Sequence, residues 1–135
     1  MLRRILQSLL LLMLAVACSD STRPEGTLTG TWSLETVNGK PLPYTLPETG
    51  EVVTAEEMLL MASGRFTMTT TFRITQGANV FSETIPDAGT YVAKGATVTF
   101  TFDSDGSNDV GAVTGDTITL EDIGQVWVYR RKPIG

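Results

Sequence analysis

The sequence has no histidine and only one cysteine among its 135 residues. The commonest general base and the commonest nitrogen ligand of metal ions are therefore both missing. A lone cysteine excludes an intramolecular disulfide framework, a cysteine-rich zinc site and a CxxC redox pair. Basic residues are also in the minority, with 10 Lys and Arg against 15 Asp and Glu and a net charge of −5. Nucleic-acid binding needs a basic face, so that class of function is excluded as well.

The residues that could act as acids, bases or nucleophiles do not form a catalytic set. Glu56 and Glu57 are adjacent, so in a strand their side chains point to opposite faces, which is poor geometry for a general acid and base. No base is placed to activate a serine, since Lys40, Lys94 and Lys132 stand in turn-like or terminal contexts. The acidic segment 103–109 has its glycine in fourth place, whereas a calcium loop needs it sixth, and an Asp-Gly turn explains it better. We predict a protein that is not an enzyme and has no cofactor or metal site.

The first 18 residues have the layout of a secretory signal. Arg3 and Arg4 precede a wholly apolar run at 9–16, and small residues then lead to Cys18. The run is too short to span a bilayer comfortably as a permanent helix. One interpretation is an ordinary signal peptide that is cut near Ala17 and leaves a free thiol.

The segment Ala15-Val16-Ala17-Cys18 resembles the lipobox of bacterial lipoproteins, although Ala15 stands where that family favours Leu. The resemblance implies cleavage before Cys18, which becomes the N-terminus and carries acyl chains such as palmitate. Each buried CH₂ contributes about 0.8 kcal/mol, so several chains on one residue anchor a protein firmly. We therefore expect residues 1–17 to be a lipoprotein signal peptide. Cys18 is the expected attachment to a membrane of the cell envelope, on the extracytoplasmic side.

Residues 18–27 are expected to form a lipidated tether, because those after Cys18 are small, polar and turn-prone. Loss of residues 1–17 removes two basic residues and leaves the mature chain more acidic. An anionic membrane repels such a chain, so the anchor has to be covalent. In enterobacterial lipoproteins an Asp after the cysteine favours retention in the inner membrane. Ser19 stands there instead, which favours the outer membrane in an organism that has one.

From residue 28 to residue 135 the hydrophobic period is two, which is typical of strands with one buried face. In 65–75, Phe66, Met68, Phe72 and Ile74 share one face and mostly Thr and Arg share the other. The chain has 21 Thr, which suit exposed strand faces. Turn signals separate the runs at intervals of about ten residues, as in an all-β meander. They are Asn38-Gly39, Ser63-Gly64, Gln76-Gly77, Lys94-Gly95, Asp105-Gly106, Gly115-Asp116 and Ile123-Gly124.

The segment 53–62 can be interpreted in two ways. Thr54 and Glu57 have the spacing of a helix capping box. The same residues also fit short strands, and we favour the strand because the surrounding pattern is β throughout.

The sequence Gly30-Thr31-Trp32 near the start, with Arg130 and Arg131 near the end, resembles the lipocalin pattern. With Val37-Asn38-Gly39-Lys40-Pro41-Leu42-Pro43 after the first strand, the whole layout also looks like that of the short bacterial lipoproteins described as lipocalin-like. It implies an all-β fold, a small antiparallel up-and-down barrel of about eight strands, over residues 28–135. Trp32 would close one end, with Arg130 or Arg131 across it. The domain is shorter than a full lipocalin, and Thr90-Tyr91 lacks the mid-chain Asp of that family.

A barrel of this size is either filled by its own side chains or holds one small ligand. The interior residues are therefore candidates for a plain core or for an apolar binding site, and the loop 42–47 is a candidate lid or a stiff connection. We expect a carrier of a small hydrophobic molecule, or alternatively a protein-interaction or hydrolase-inhibitor module. A carrier requires open internal volume, whereas an interaction module requires a filled barrel with a patch on its loops. The candidate ligand-binding residues are Tyr44, Met58, Phe66, Met68, Phe72, Phe100 and Phe102.

Overall fold

The computed structural model describes residues 28–133, which are nearly all β. The predicted signal peptide (1–17), the tether (18–27) and the lipid-attachment residue Cys18 lie outside the described residues. Among the residues described, no helix has the length and apolar character needed to cross a bilayer. The strands, in chain order, are β1 (Gly30–Val37), β2 (Lys40–Pro41), β3 (Tyr44–Thr45), β4 (Val52–Leu60), β5 (Arg65–Gln76), β6 (Asn79–Lys94), β7 (Thr97–Phe102), β8 (Asn108–Thr114), β9 (Thr117–Asp122) and β10 (Gln125–Arg131).

Eight of these strands close into an antiparallel barrel. Each strand from β4 to β10 pairs with the next one along the chain, and β1 completes the ring by pairing with both β10 and β4. The two-residue strands β2 and β3 pair only with β1 and β4. The predicted all-β, up-and-down barrel of eight strands is therefore confirmed.

The local signals in the sequence position these strands. Each of the seven turn dipeptides lies at a connection between strands. At the first of them, Asn38 and Gly39 have φ values of 52° and 75°, the left-handed pair that a type I′ turn requires. The segment that could also have been a helix forms β4, since its alternating side chains reach the barrel interior on one face.

Alternate side chains of the strands fill the barrel from its closed end to its middle. The ring of Phe66 meets those of Phe100 and Phe102 edge to face, with centroids 5.2 and 5.3 Å apart. Aromatic pairs favour this geometry, which adds to the free energy of burying their area. The fully buried side chains of greatest volume are Trp32, Tyr91, Phe66, Phe100, Leu28, Met58, Leu60 and Ile118.

The hairpin of β5 and β6 is longer than its neighbours and projects past the barrel wall. β7 pairs with β6 only from Gly89 onward, so the first half of β6 has a free edge. We call residues 70–85 the projecting hairpin. It lies at the end of the barrel opposite to Trp32. The register pairs Leu60 with both Gly30 and Phe66, so the start of β1, which carries Trp32, lies where β4 ends and β5 begins. The projecting hairpin is at the far end of β5.

Candidate functional site

The closed end of the barrel is built around Trp32. Its indole nitrogen donates a hydrogen bond to the carbonyl oxygen of Leu28, with 2.9 Å between the two atoms. The guanidinium carbon of Arg131 lies 4.6 Å from the centroid of the Trp32 ring, and this side chain also forms an ion pair with Asp116 at 3.4 Å. Arg130 points away from the interior and pairs with Glu35 on the outer surface at 2.8 Å. Of the two arginines named from the sequence, Arg131 is therefore the one that covers the indole.

The candidate ligand-binding residues are divided between the core and the open end. Met58, Phe66 and Phe100 are fully buried in the core, where they contact neighbouring side chains. Met68 and Phe102 lie higher in the barrel and line a small cavity. Phe72 and Tyr44 are partly buried and pack against the core from the open end. The structure does not bring the seven residues together around one apolar space.

The loop between β1 and β4 lies at the open end. Leu42, Tyr44 and Leu46 pack against the core, and the peptide bond between Leu42 and Pro43 is cis. Asn38 holds the start of the loop, because its amide nitrogen donates to the hydroxyl of Tyr44 at 3.0 Å. The Asn38 side-chain oxygen also accepts from the backbone nitrogen of Val126 at 2.9 Å. The candidate lid residues thus pack against the core at the open end of the barrel.

The open-end cavity is a depression of about 120 Å³ at the end opposite Trp32. Its size is close to that of an engineered cavity that accepts benzene, so a fatty acid does not fit. Its walls combine apolar and acidic side chains from β4, β5 and β7 to β10. The lining residues are Glu56, Met68, Phe102, Asp109, Leu120, Asp122, Trp127 and Tyr129.

Glu56 is the deepest carboxyl group of this cavity. It accepts a short hydrogen bond from the hydroxyl of Tyr129 and another, of 2.7 Å, from the hydroxyl of Thr70. Burial raises the pKa of Glu56 above its ordinary value, although these two hydrogen bonds act in the opposite direction. Burial, followed by the charge of Glu56, raises the pKa of Tyr129 far above the usual range, so the phenol keeps its proton and remains the donor.

Two more carboxyl groups line the cavity without a counter-charge. Among residues 28–133, none of the four ion pairs includes Asp109 or Asp122. Burial raises the pKa of Asp109, and the negative charges of Asp122 and Asp105 raise it further. The cavity therefore concentrates negative charge that the described part of the chain leaves unbalanced.

Sequence reasoning missed these acidic residues, although the strand period contains the signal. Glu56 alternates with the core residues Met58 and Leu60, and Asp122 alternates with Leu120. Extending each alternation to the end of its strand would have placed the carboxylates on the inner face. Asp109 was hidden because it was grouped with a turn, whereas it is the second residue of β8.

The arrangement presents carboxyl groups, which accept hydrogen bonds, to a small space. Its carboxylates can accept hydrogen bonds from a bound group, and the buried indole nitrogen of Trp127, which has no hydrogen-bond partner, can donate one. Comparison with known proteins adds no assignment, because the chain matches no protein-family model, no curated protein and no solved structure.

Proposed function

We propose that the protein is an extracytoplasmic, membrane-anchored lipoprotein whose barrel serves as a protein-interaction module. The observation that carries the proposal is a filled barrel that bears an exposed apolar hairpin. The interior from Trp32 to Phe100 is occupied by the protein's own side chains, and the open-end cavity is too small for a lipid. These features favour an interaction module over a carrier of a small hydrophobic molecule.

The projecting hairpin supplies the interaction surface. Val80, Phe81 and Ile85 have 62%, 43% and 47% of their area exposed. Phe81 is opposite Ile74 in the register and Ile85 is opposite Thr70, so both project from the face that continues the barrel interior. Exposed apolar side chains grouped in this way mark a surface that another molecule covers.

The free edge of β6 defines the kind of partner. Its backbone from Asn79 to Asp87 has no neighbouring strand on the β7 side. Proteins usually protect such edges with charges, prolines or bulges. Here Glu83, Pro86 and Asp87 do so, whereas residues 79–82 have neither a charge nor a proline. An extended segment of another envelope protein would add a strand to this edge and cover Phe81 and Ile85.

The predicted anchor at Cys18 is compatible with a projecting hairpin that points away from the membrane. The described chain enters the barrel at Leu28, beside Trp32 at the closed end. The ten residues from Cys18 to residue 27 span at most about 35 Å when fully extended. A lipid on Cys18 would therefore hold the closed end near the membrane and leave the projecting hairpin directed away from it.

Site-specific photo-crosslinking tests the interaction. A photo-reactive residue at Phe81, in the full chain in its native envelope, is expected to give one reproducible protein adduct, which Ile85→Lys abolishes. The matched control is the same probe at Val110, which is 59% exposed on the barrel wall and is expected to give none. Equal adducts from both positions, or none from Phe81, would contradict the proposal.

Membrane fractionation tests the anchor separately. Cys18→Ser removes the only cysteine and with it the site of acylation. The variant is expected to leave the membrane fraction, while the unmodified chain stays in it and incorporates labelled palmitate. A variant that still fractionates with membranes would show that Cys18 is not the anchor.

A further inference from the structure

The backbone groups of β6 point alternately to its two sides. The backbone nitrogen of Tyr91 donates to the carbonyl oxygen of Gly64 on the β5 side, with 2.9 Å between the two atoms. The carbonyl oxygen of Ala88 accepts from the backbone nitrogen of Asp103 on the β7 side, also at 2.9 Å. The register between β5 and β6 has no shift along its whole length, so this alternation continues to the tip of the hairpin. Odd-numbered residues of β6 therefore bond to β5, and the backbone groups of even-numbered residues point to the other side.

The outward backbone groups at the free edge are available to another strand. Within residues 28–133, β7 pairs with β6 only from Gly89 onward. Beyond it, Val80, Ser82 and Thr84 each turn an N–H and a C=O to the free edge, whereas Pro86 turns only a C=O. A proline is tolerated there because its missing N–H leaves no gap in the pairing with β5. The part of the edge that can both donate and accept is therefore the stretch from Val80 to Thr84, which suits a short extended segment.

The inner face of β6 beside this edge alternates apolar and acidic side chains. Its members are the odd-numbered residues Phe81, Glu83, Ile85 and Asp87, which lie opposite Ile74, Phe72, Thr70 and Met68 of β5. Among residues 28–133, none of the four ion pairs includes Glu83 or Asp87. The carboxylate of Asp87 accepts only from the adjacent backbone nitrogen of Ala88, at 2.8 Å. An added strand would therefore meet apolar side chains and unbalanced carboxylates in turn.

The surroundings of the edge carry the same sign of charge. The loop 103–107, which ends β7, lies at the foot of the free edge, because Asp103 is bonded to Ala88 of β6. Asp103 is paired with Arg65, whereas Asp105 is in none of the four ion pairs of the described chain. Two copies paired through this edge would bring two acidic hairpins together, which like charges disfavour. The charge of this surface therefore favours a basic partner over a second copy of the chain.

We infer that the free edge of β6 binds an extended basic segment of a partner protein, in which apolar and cationic side chains alternate on one face. The inference rests on the strand addition proposed above and adds the chemistry of the partner. An antiparallel segment pairs slightly better than a parallel one, and it places apolar residues opposite Phe81 and Ile85. It places Lys or Arg opposite Glu83 and Asp87, where opposite charges on facing strands attract. Acidic segments are repelled from the same edge, which makes the carboxylates a device for choosing the partner.

Amide hydrogen exchange, followed by NMR, measures this pairing residue by residue. The full chain is labelled with ¹⁵N, kept in detergent micelles and mixed with the capped peptide Lys-Thr-Val-Thr-Lys-Thr-Val at millimolar concentration. The N–H groups of Ser82 and Thr84 are expected to exchange about fivefold more slowly when the peptide is bound. Those of Phe81 and Glu83 are bonded to β5 and are expected to keep their rates. A peptide with Glu in place of each Lys has the same backbone and is the matched control, expected to protect neither group.

Three variants and a control test the named contacts. Glu83→Gln removes one cross-strand ion pair and is expected to weaken binding of the basic peptide about threefold. Glu121→Gln removes the same charge from the outer barrel wall and is expected to change binding little. Ser82→Pro removes an outward N–H without breaking a bond to β5, so it is expected to abolish protection at Thr84. Ser82→Ala keeps that N–H and is expected to bind normally. Unchanged amide resonances of β7 to β10 show that each variant is folded.

The outcomes separate the chemistry of the partner from strand addition itself. Equal protection by the basic and acidic peptides would leave strand addition in place and overturn the basic partner. Protection that rises with protein concentration in the absence of peptide would show that a second copy occupies the edge, which also overturns it. If neither peptide protects Ser82 and Thr84, the inference is wrong, and the crosslink at Phe81 then decides separately whether the hairpin has a protein partner.

Discussion

The two ends of the barrel differ in the charge of their side chains and in how that charge is partnered. At the closed end, Trp32 is fully buried, its N–H is bonded to Leu28, and the positive charge of Arg131 lies over its ring. At the open end, Asp109 and Asp122 have no ion pair within residues 28–133. A buried side-chain polar atom without a hydrogen-bond partner occurs at both ends, in Thr29 and in Gln125, so the contrast lies in the charges. The closed end thus has the features of a stability element. The open end retains groups that folding does not need, as binding sites commonly do.

The largest expected effect comes from removing the indole of each end. Trp32→Ala leaves a large cavity in a packed region and is expected to lower the free energy of unfolding by about 3–5 kcal/mol. Trp127→Ala removes the same group from a partly exposed site and is expected to cost about 1–2 kcal/mol. Urea denaturation of the two variants measures the difference. Equal losses would show that the two ends contribute alike to stability.

The next effect concerns the two arginines of β10. Arg131→Met keeps an apolar stem but removes the charge over Trp32, so a loss of about 1 kcal/mol is expected. Arg130→Met removes an exposed ion pair with Glu35 and is expected to change stability by less than about 0.5 kcal/mol. Denaturation midpoints of the two variants measure this, and an effect of Arg130 as large as that of Arg131 would contradict the assignment of the closed end.

Much of the fold could be predicted from the sequence because its signals are local. The alternation in 65–75 and the glycine turns each depend on neighbours in the chain, and they gave the strand type and the connections. Trp32 could be placed at the closed end because a Gly-x-Trp segment near the first strand carries a recognisable pattern. The choice between Arg130 and Arg131 could not be made, because it depends on which of two adjacent side chains faces inward.

The open-end cavity could not be predicted because it depends on register between distant strands. Glu56, Asp109 and Asp122 lie on three strands, and only the closure of the barrel brings them together. A carboxylate on an inner strand face also contradicts the rule that interiors are apolar. The filled core could not be distinguished from a ligand cavity either, since Met58 and Phe66 have the same pattern in both.

The variant Glu56→Gln tests the contrast between the two ends through the pH dependence of stability. Folding raises the pKa of Glu56, so the folded chain binds more protons than the unfolded chain between the ordinary value of 4.5 and the raised one. The contribution of Glu56 to the free energy of unfolding therefore falls as pH rises from the ordinary pKa to the raised one. Above the raised pKa the whole of this contribution is lost. Gln keeps the shape and can still accept from Tyr129. The variant is expected to melt a few degrees higher than the unmodified chain at pH 7 and at the same temperature below pH 4. A gain that does not depend on pH would show that ionisation of Glu56 is not its source.

The smallest expected effect is a change in the pKa of Asp109. It tests whether the carboxyl groups of Asp109 and Asp122 lie in the same cavity. Burial is the main cause of the raised pKa of Asp109, and the charge of Asp122 is the second. Asp122→Asn is therefore expected to lower the pKa of Asp109 without returning it to the ordinary value, because burial persists. Glu121→Gln is expected to leave the pKa of Asp109 unchanged, since the removed charge lies on the outer face. An NMR titration of the side-chain carboxyl carbon measures both variants. If Asp122→Asn leaves Asp109 unmoved, the two carboxylates do not share the cavity, and the contrast between the ends of the barrel loses its electrostatic basis.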